Sequence, residues 1–319
     1  MKSGQRIVFM GTPQFAVHSL NALLQAGVEV AAVVTAMDKP AGRGRQLHAS
    51  AVKQRALELG LPLLQPEKLK DPVFHSSLQL IGADLFVVVA FRMLPEQVWT
   101  LPPLGTINLH ASLLPQYRGA APINWAVMNG ERVTGATTFF IRHEIDTGDV
   151  LLQEELSIGP DETAGEVHDR LASMGGALLA RTVKSILDGN AIARPQQAIA
   201  PGTLRVAPKL NPENCRIDWS KPARQVHDHV RGLSPFPGAW TMWTENGRSA
   251  HFKILRSSPT DGAHAAPLPG TVEVHDKGLR VGCADAYIEL LEVQAEGKRR
   301  MSAAEFARGL HGNTRILMQ

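Results

Sequence analysis

Residues 84–90 read Asp84-Leu-Phe-Val-Val-Val-Ala90, and every position after the first is apolar. A strand with one wet face alternates apolar and polar side chains. An unbroken apolar run of this length belongs to a strand covered on both faces, as in a parallel sheet. Working outward, Arg6-Ile-Val-Phe-Met10 is another short apolar strand, and it stops at Gly11-Thr12-Pro13. Pro13 suits the first turn of a helix. That helix would present Phe15, Leu20, Leu23 and Leu24 on one face and end at Gly27. Residues 28–34 form the next strand, and good helix formers at 49–59 run up to Gly60. On the other side, 105–110 is a strand candidate, with strands also expected at 136–141 and 149–156. A long helix is expected over 163–188, opened by Thr163 with Glu166 three residues on. Strands alternating with helices predict an α/β fold, a doubly wound and mostly parallel sheet. Such sheets bind ligands at the C-terminal ends of their strands.

The texture changes at residue 189. Residues 189–212 are rich in Gly, Pro, Gln and Asn without a sustained period, which predicts a linker. Beyond it a helix is expected at 222–232, with short strand-like runs near 239–243, 251–256, 270–274, 279–283 and 286–293. Short strands parted by Gly, Pro and Asn turns suggest a small β-barrel. The expected organisation is a domain at 1–189, a linker at 190–208 and a second domain at 209–319. A length of 319 residues fits two domains. With 44% apolar and 20% charged residues the chain can bury a real core. No apolar run reaches the ~18 residues of a membrane span. The start, Met1–Arg6, leads directly into a strand and not into a secretory core. The two cysteines, Cys215 and Cys283, stand in no metal or redox spacing. A cytoplasmic location is therefore expected. Residues 1–205 hold 18 basic and 18 acidic side chains, and residues 206–319 hold 15 and 12, so the net charge of +3 lies in the last third. That balance permits a nucleic-acid partner without requiring one.

Chemistry concentrates between 105 and 150. Residues two apart on a strand point the same way, so Asn108 and His110 project together from one strand end. An Asn amide can hold a developing oxyanion, and a His can donate a hydrogen bond or move a proton near neutral pH. Asp146, in the turn-like Glu144-Ile-Asp-Thr-Gly-Asp149, is the best carboxylate to complete the set. The alternative is structural: a buried, hydrogen-bonded His110, a turn-forming Asn108 and a turn-capping Asp146. Residues 36–48 hold Lys39, Arg43 and Arg45 among Pro40, Gly42 and Gly44, where no secondary structure is expected. A mobile basic loop suits a nucleic-acid backbone and unpaired bases. A solvated surface loop or a small anion site are the alternatives, although the Lys-Ser/Thr ending of a phosphate-binding loop is missing.

The stretch Asn108-Leu-His-Ala-Ser-Leu-Leu-Pro-Gln-Tyr-Arg-Gly-Ala-Ala-Pro122, followed by Asp146-Thr-Gly148, resembles the folate-dependent formyltransferases. The likeness spans nearly the full length, through Gly11-Thr12-Pro13, Asp38-Lys-Pro-Ala-Gly-Arg-Gly44, Ile217-Asp218-Trp219 and Pro267-Leu-Pro-Gly270. It is strongest to the members that act on charged initiator tRNA. The resemblance implies a formyltransferase-like Rossmann domain and a C-terminal OB-like barrel that binds tRNA. It implies transfer of the formyl group of 10-formyltetrahydrofolate, without a metal, to the free amino group of methionyl-initiator tRNA through a tetrahedral intermediate. Asn108 and His110 would hold the negative oxygen, worth about 3–4 kcal/mol each in comparable sites. Asp146 would orient or charge His110 and help remove a proton from the amine. Ser112, Leu113, Leu114 and Pro115 would form a folate-contacting turn. Phe91, Arg92, Met93, Leu94 and Ile141 would line the pterin pocket. Lys39, Arg43 and Arg45 would enter the end of the acceptor stem, Arg43 at the most characteristic position. Lys298-Arg299-Arg300 is the one tight basic cluster of the second domain, and Lys209, Arg224, Arg231, Lys253 and Arg256 could extend it. A monomer is expected.

The sequence departs from the family pattern at Phe91-Arg92, where many relatives carry Tyr-Gly, and at Ala111, where Gly is frequent. Arg92 would point outward or contact the folate glutamate tail. Rival readings are a sugar-nucleotide formyltransferase, glycinamide ribonucleotide formyltransferase and a non-catalytic RNA-binding protein. The basic loop, the second domain and the intact trio argue against each in turn. A dinucleotide reductase is disfavoured because Gly11-Thr-Pro-Gln-Phe-Ala16 lacks Gly-x-Gly-x-x-Gly.

Overall fold

A computed structural model describes residues 4–41, 46–196, 203–245, 247–260, 268–276, 278–310 and 316–319. The first half of the chain runs β1 (Arg6–Gly11), α1 (Gln14–Gln25), β2 (Glu29–Val34), β3 (Lys39–Ala41), β4 (Gln46–His48), α2 (Ala51–Glu58), β5 (Leu63–Leu64), α3 (Pro72–Ile81), β6 (Leu85–Val89), α4 (Glu96–Trp99) and β7 (Thr106–His110). It continues through β8 (Arg118–Gly119), α5 (Pro122–Met128), β9 (Val133–Phe140), β10 (Val150–Ser157), α6 (Ala164–Leu187) and β11 (Val206–Ala207). Two compact units result, each discontinuous in sequence. One comprises Met1–Gly119, Thr134–Leu156 and His168–Val206, the other Ala120–Val133, Ser157–Val167 and Ala207–Gln319.

A seven-stranded sheet has the order β10-β9-β7-β6-β1-β2-β5. The pairs β1–β2, β1–β6, β2–β5 and β6–β7 are parallel, and β9 runs antiparallel to β7. The chain winds outward from β1 to β5 and then returns across β1 to β6 and β7. The C-terminal ends of β1 and β6 therefore flank a topological switch point, where open α/β sheets bind ligands. All five residues of β6 are buried, as its unbroken apolar run requires. Helices α2 and α3 start on side-chain caps. The Ser50 hydroxyl accepts from Lys53 N at 3.0 Å, and the Asp71 carboxylate accepts from Val73 N at 2.9 Å. Gly82, left-handed at φ +58°, stops α3.

The segment 36–48 corrects the expectation of a structureless loop. β3 and β4 pair as an antiparallel hairpin, with Lys39 opposite His48 and Pro40 opposite Leu47. The base of the hairpin is pinned. Asp38 accepts from Lys53 Nζ at 2.6 Å and from Gln65 Nε2 at 3.0 Å, and Gln65 also donates to Ala36 O at 2.8 Å. These bonds hold the Asp38 carboxyl below its usual range. With one arm anchored, ladder bonds satisfy backbone groups that a free loop would leave to water.

The second unit contains α7 (Ala223–Gly232), β12 (Ala239–Glu245), β13 (Arg248–Pro259), β14 (Val272–His275), β15 (Gly278–Gly282), β16 (Tyr287–Ala295), β17 (Met301–Ser302), α8 (Ala303–Ala307) and β18 (Ile316–Met318). The strand order is β14-β15-β16-β13-β12-β18, with β17 added to β16. Met318 N donates to Gly270 O at 2.8 Å and Thr271 bridges Leu317, which nearly closes the sheet into a barrel. Gly270 is required there: at φ +80° a Cβ would lie 2.2 Å from Met318 O. Trp219, Trp243, Phe252 and Ile254 lie in the barrel's apolar core.

Candidate active site

β7 lies between parallel β6 and antiparallel β9, so its last residues emerge beside the end of β6. Asn108 pairs with Val88 on one side and Phe139 on the other. Its side chain is half-buried, and its amide has no hydrogen-bond partner among the described residues. His110 is the buried last residue of β7. Its Nε2 lies 2.9 Å from Tyr117 O. A carbonyl can only accept, so Nε2 carries the proton and Nδ1 is left for other work. Nδ1 faces Asp146 Oδ2 at 3.8 Å. That separation is too long for a hydrogen bond but short for a charge contact.

Asp146 is brought there by a turn with an unusual backbone. Its φ of +55° is left-handed, which Asp tolerates better than most residues. Gly119 N donates to its Oδ2 at 2.9 Å. Two residues on, a Cβ at Gly148 would sit 1.6 Å from Phe140 O, so only glycine lets the turn pack back on β9. The Asp-Thr-Gly spacing thus has a steric cause.

Ser112–Pro115 form a buttressed turn directly after β7. Ser112, fully buried, donates to Gln116 O at 2.7 Å. Thr137 Oγ1 donates to Ser112 O at 2.7 Å and accepts from Leu114 N at 3.1 Å. Gln153 Nε2 donates to Leu114 O at 2.8 Å. Leu114 is buried, and Leu113 packs so close to Gly135 that a Cβ there would meet its Cδ2 at 2.5 Å.

Phe91, Leu94 and Ile141 join one apolar cluster with Val88 and Val98, whereas Met93 is 74% exposed and stays outside it. Arg92 is anchored within the protein. Its guanidinium folds onto the 66–67 backbone, with Nη2 donating to Pro66 O at 2.8 Å and Nη1 to Glu67 O at 3.0 Å. Its Cζ lies 5.3 Å from the Phe91 ring centroid. Arg92 Nε is buried without a partner, and burial pushes the guanidinium pKa down.

Of the basic residues, Lys39 is exposed on β3, and Arg43 and Arg45 lie outside the described residues. Arg299 pairs with Glu305 at 2.5 Å, and Arg300 is gripped through Nε and Nη2 by Glu292. Lys298 is exposed and has no ion-pair partner among the described residues. Arg256 pairs with Glu166 at 2.5 Å. The cluster therefore carries less free charge than its sequence suggests. No group of three His, Cys, Asp or Glu side chains among the described residues could hold a metal. No described helix is long and apolar enough to cross a membrane. Sequence reasoning passed over Tyr117 and Gly119 as partners of His110 and Asp146, although both lie inside the motif it singled out.

Comparison with known proteins gives the chemistry of relatives. Residues 5–183 match the family described as formyl transferase, and residues 209–311 match the formyl transferase C-terminal domain. A protein of Bacteroides fragilis named methionyl-tRNA formyltransferase is 50% identical over 313 residues, covering 97% of this chain and 96% of its own. One of Bacteroides thetaiotaomicron with the same name is 50% identical over 311 residues, with the same coverage. Among solved structures, an N-formyltransferase from Helicobacter canadensis, in complex with folinic acid and dTDP-3-aminofucose, superposes with a TM-score of 0.65. It is 18% identical and covers 90% of this chain and 99% of its own. At that identity the likeness speaks for the fold alone.

Proposed function

This chain belongs to the formyl transferase family, and from that premise we propose that it formylates the free amino group of methionyl-initiator tRNA, with 10-formyltetrahydrofolate as donor. We propose Asn108, His110 and Asp146 as its catalytic set. The observation that carries this reading is an Asn108 amide without a partner among the described residues, beside a His110 whose Nδ1 faces Asp146. The residues present fit the donor. The apolar cluster that Phe91, Leu94 and Ile141 join would suit a flat ring, and the half-buried Asn108 amide has no hydrogen-bond partner among the described residues. When bound, the donor supplies an electrophilic formyl carbon whose oxygen becomes negative as the amine attacks.

Each side chain has a distinct part. The Asn108 N–H is free to donate to that oxygen without first breaking a bond to the protein, which is what preorganised stabilisation requires. His110 is fixed through Nε2–H by Tyr117 O, so it acts through Nδ1. A proton on Nδ1 would make it a charged donor, facing the Asp146 carboxylate 3.8 Å away. Asp146 Oδ2 is occupied by Gly119 N, which leaves Oδ1 to take the amine proton directly or through water. Ser112–Pro115, Phe91–Leu94 and Ile141 would hold the folate, largely through backbone groups. Arg92 would shape that pocket from its anchored position.

For the acceptor, Lys39, Arg43 and Arg45, together with Lys298, Arg299 and Arg300 of the barrel, would contact tRNA. Exposed pairs such as Arg299–Glu305 contribute little, so exchanging a carboxylate for a phosphate costs little. Residues 1–189 would be the catalytic domain, 190–208 a linker and 209–319 the tRNA-binding domain, acting as a monomer in the cytoplasm. The test is a formyl-transfer assay offering methionyl-initiator tRNA, uncharged tRNA and amino-sugar nucleotides in parallel. Formylation of the charged tRNA alone is expected. Modification of a sugar nucleotide with methionyl-tRNA untouched would overturn the acceptor assignment.

A further inference from the structure

His110 and Asp146 are 36 positions apart in sequence, and both are held by one short segment, Tyr117-Arg118-Gly119. Tyr117 O takes the His110 Nε2 proton, and Gly119 N donates to Asp146 Oδ2. Arg118, between them, reaches a residue that the catalytic set does not include. Its Nε donates to Gln196 Oε1 at 3.2 Å, and its Nη2 bonds the same oxygen. Gln196 Nε2 then donates to Asp146 O at 2.7 Å and to Gly148 O at 3.0 Å. The ring is closed: Arg118 to Gln196, Gln196 to the Asp146 backbone, and the Asp146 carboxylate back to Gly119.

The chemistry of the ring is specific to a primary amide. The Asp146 and Gly148 carbonyls converge on one point, so their oxygens repel unless a group with two hydrogens sits between them. The Gln196 NH₂ supplies both, and its carbonyl faces the guanidinium. A non-glycine residue at φ +55° is strained and persists only where its surroundings hold it. Among the described residues nothing else holds the carbonyl of Asp146.

We propose that Gln196 is a positioning residue for the transfer reaction, holding the Asp146 turn so that the carboxylate stands opposite His110 Nδ1. Arg118 is its partner and sets the orientation of the amide. The inference rests on the reading of Asn108, His110 and Asp146 as the catalytic set.

The test uses the full chain with 10-formyltetrahydrofolate and radiolabelled methionyl-initiator tRNA, under single-turnover and steady-state conditions. Gln196→Met keeps the length of the side chain and removes every hydrogen bond. Gln196→Glu keeps the acceptor for Arg118 and removes both donors. Each is expected to lower the transfer rate roughly 10- to 100-fold, as misplacement of a reacting group does. KM for both substrates should stay within about twofold, because the loss falls on the transition state and not on binding. In an Asp146→Asn background Gln196→Met should cost less than about threefold, since the residue it acts through is already disabled. A full wild-type rate in Asp146→Asn alone would sink the site assignment itself. A slow Asp146→Asn beside a fast Gln196→Met would overturn only the clamp. So would an equal cost of Gln196→Met in both backgrounds, which is the signature of a merely structural role. The two Gln196 variants differ in charge and polarity, so misfolding of one leaves the other to decide.

Discussion

Asn108 and His110 stand two residues apart on β7, yet their environments make opposite demands. The Asn108 amide has no bond to the described protein, so its removal strands nothing. His110 is buried and donates to Tyr117 O, so its removal leaves a cavity and takes a hydrogen bond from that carbonyl. Asn108→Ala should therefore change the free energy of unfolding by no more than about 0.5 kcal/mol, the usual range for a change that breaks no named interaction. The same substitution should lower kcat by about 10²–10³-fold, the loss seen when one oxyanion donor is deleted. Activity and urea unfolding measured on one preparation separate the two. If stability fell in step with activity, Asn108 would be a structural residue. The Asn-x-His pair was legible because strand periodicity is local. Asp146 was singled out from its turn-like surroundings, but its approach to His110 was not legible, because a left-handed turn and a backbone bond from Gly119 deliver it. Neither leaves a mark in residue spacing. Gln196 lies further still from any local signal: its partners are 78 and 50 positions away.

At the level of elements, α6 shows how a sequence signal becomes a structural one. Thr163 and Glu166 exchange a full capping box. Thr163 N and Oγ1 each donate to Glu166 Oε2 at 2.8 Å, and Glu166 N donates back to Thr163 Oγ1 at 3.3 Å. The backbone bond from Thr163, with Arg256 alongside, pushes the Glu166 carboxyl from 4.5 down to about 2. A depressed carboxylate stabilises the fold fully above its unfolded value and loses that contribution as pH falls through its folded value. Wild type should thus lose stability between pH 4.5 and about 2 faster than Glu166→Gln does. Denaturant melts across that window read the difference, and parallel slopes would show that the carboxylate contributes nothing. Thr163→Ala should cost about 1 kcal/mol at neutral pH, as for a lost N-cap. Other elements were as well signposted and still escaped notice. α3 has Asp71 before Pro72, an apolar face of Phe74, Leu78 and Ile81 at helical spacing, and an end at Gly82, so its signal was present in full. The β3–β4 hairpin escaped for a different reason. Its arms are three residues each, too short for a period, and its anchor is Asp38 meeting Lys53 and Gln65 from elsewhere in the chain.

For the whole molecule, the doubly wound sheet was legible because strands buried on both faces must be continuously apolar. The barrel was legible from its turns. The interleaving of the two compact units was not, since it depends on contacts that span about a hundred positions. Residues 120–133 and 157–167 belong with the barrel and not with the sheet that surrounds them in sequence. α5 packs on α7, and Asn124 Nδ2 donates to Gly232 O at 2.8 Å. Trp125 Nε1 donates to Pro208 O at 2.8 Å, and Gly165 N to Ser234 O at 3.0 Å. Buried Arg231 donates to Glu162 O at 2.9 Å and pairs with Asp228 at 2.7 Å. A cut at residue 208, where composition suggests a linker, removes most of these partners at once. Three lost bonds at about 1 kcal/mol each would lower the melting temperature by roughly 6–12 °C for a unit of this size. We therefore expect a fragment of residues 1–208 to melt well below the sheet-containing unit of the full chain, or to be insoluble through the apolar face bared on α5. Calorimetry on both proteins decides it. A fragment that unfolds cooperatively at the full chain's temperature would mean that 120–133 and 157–167 draw no stability from the barrel, and that the composition break at 189–208 is the true boundary of folding.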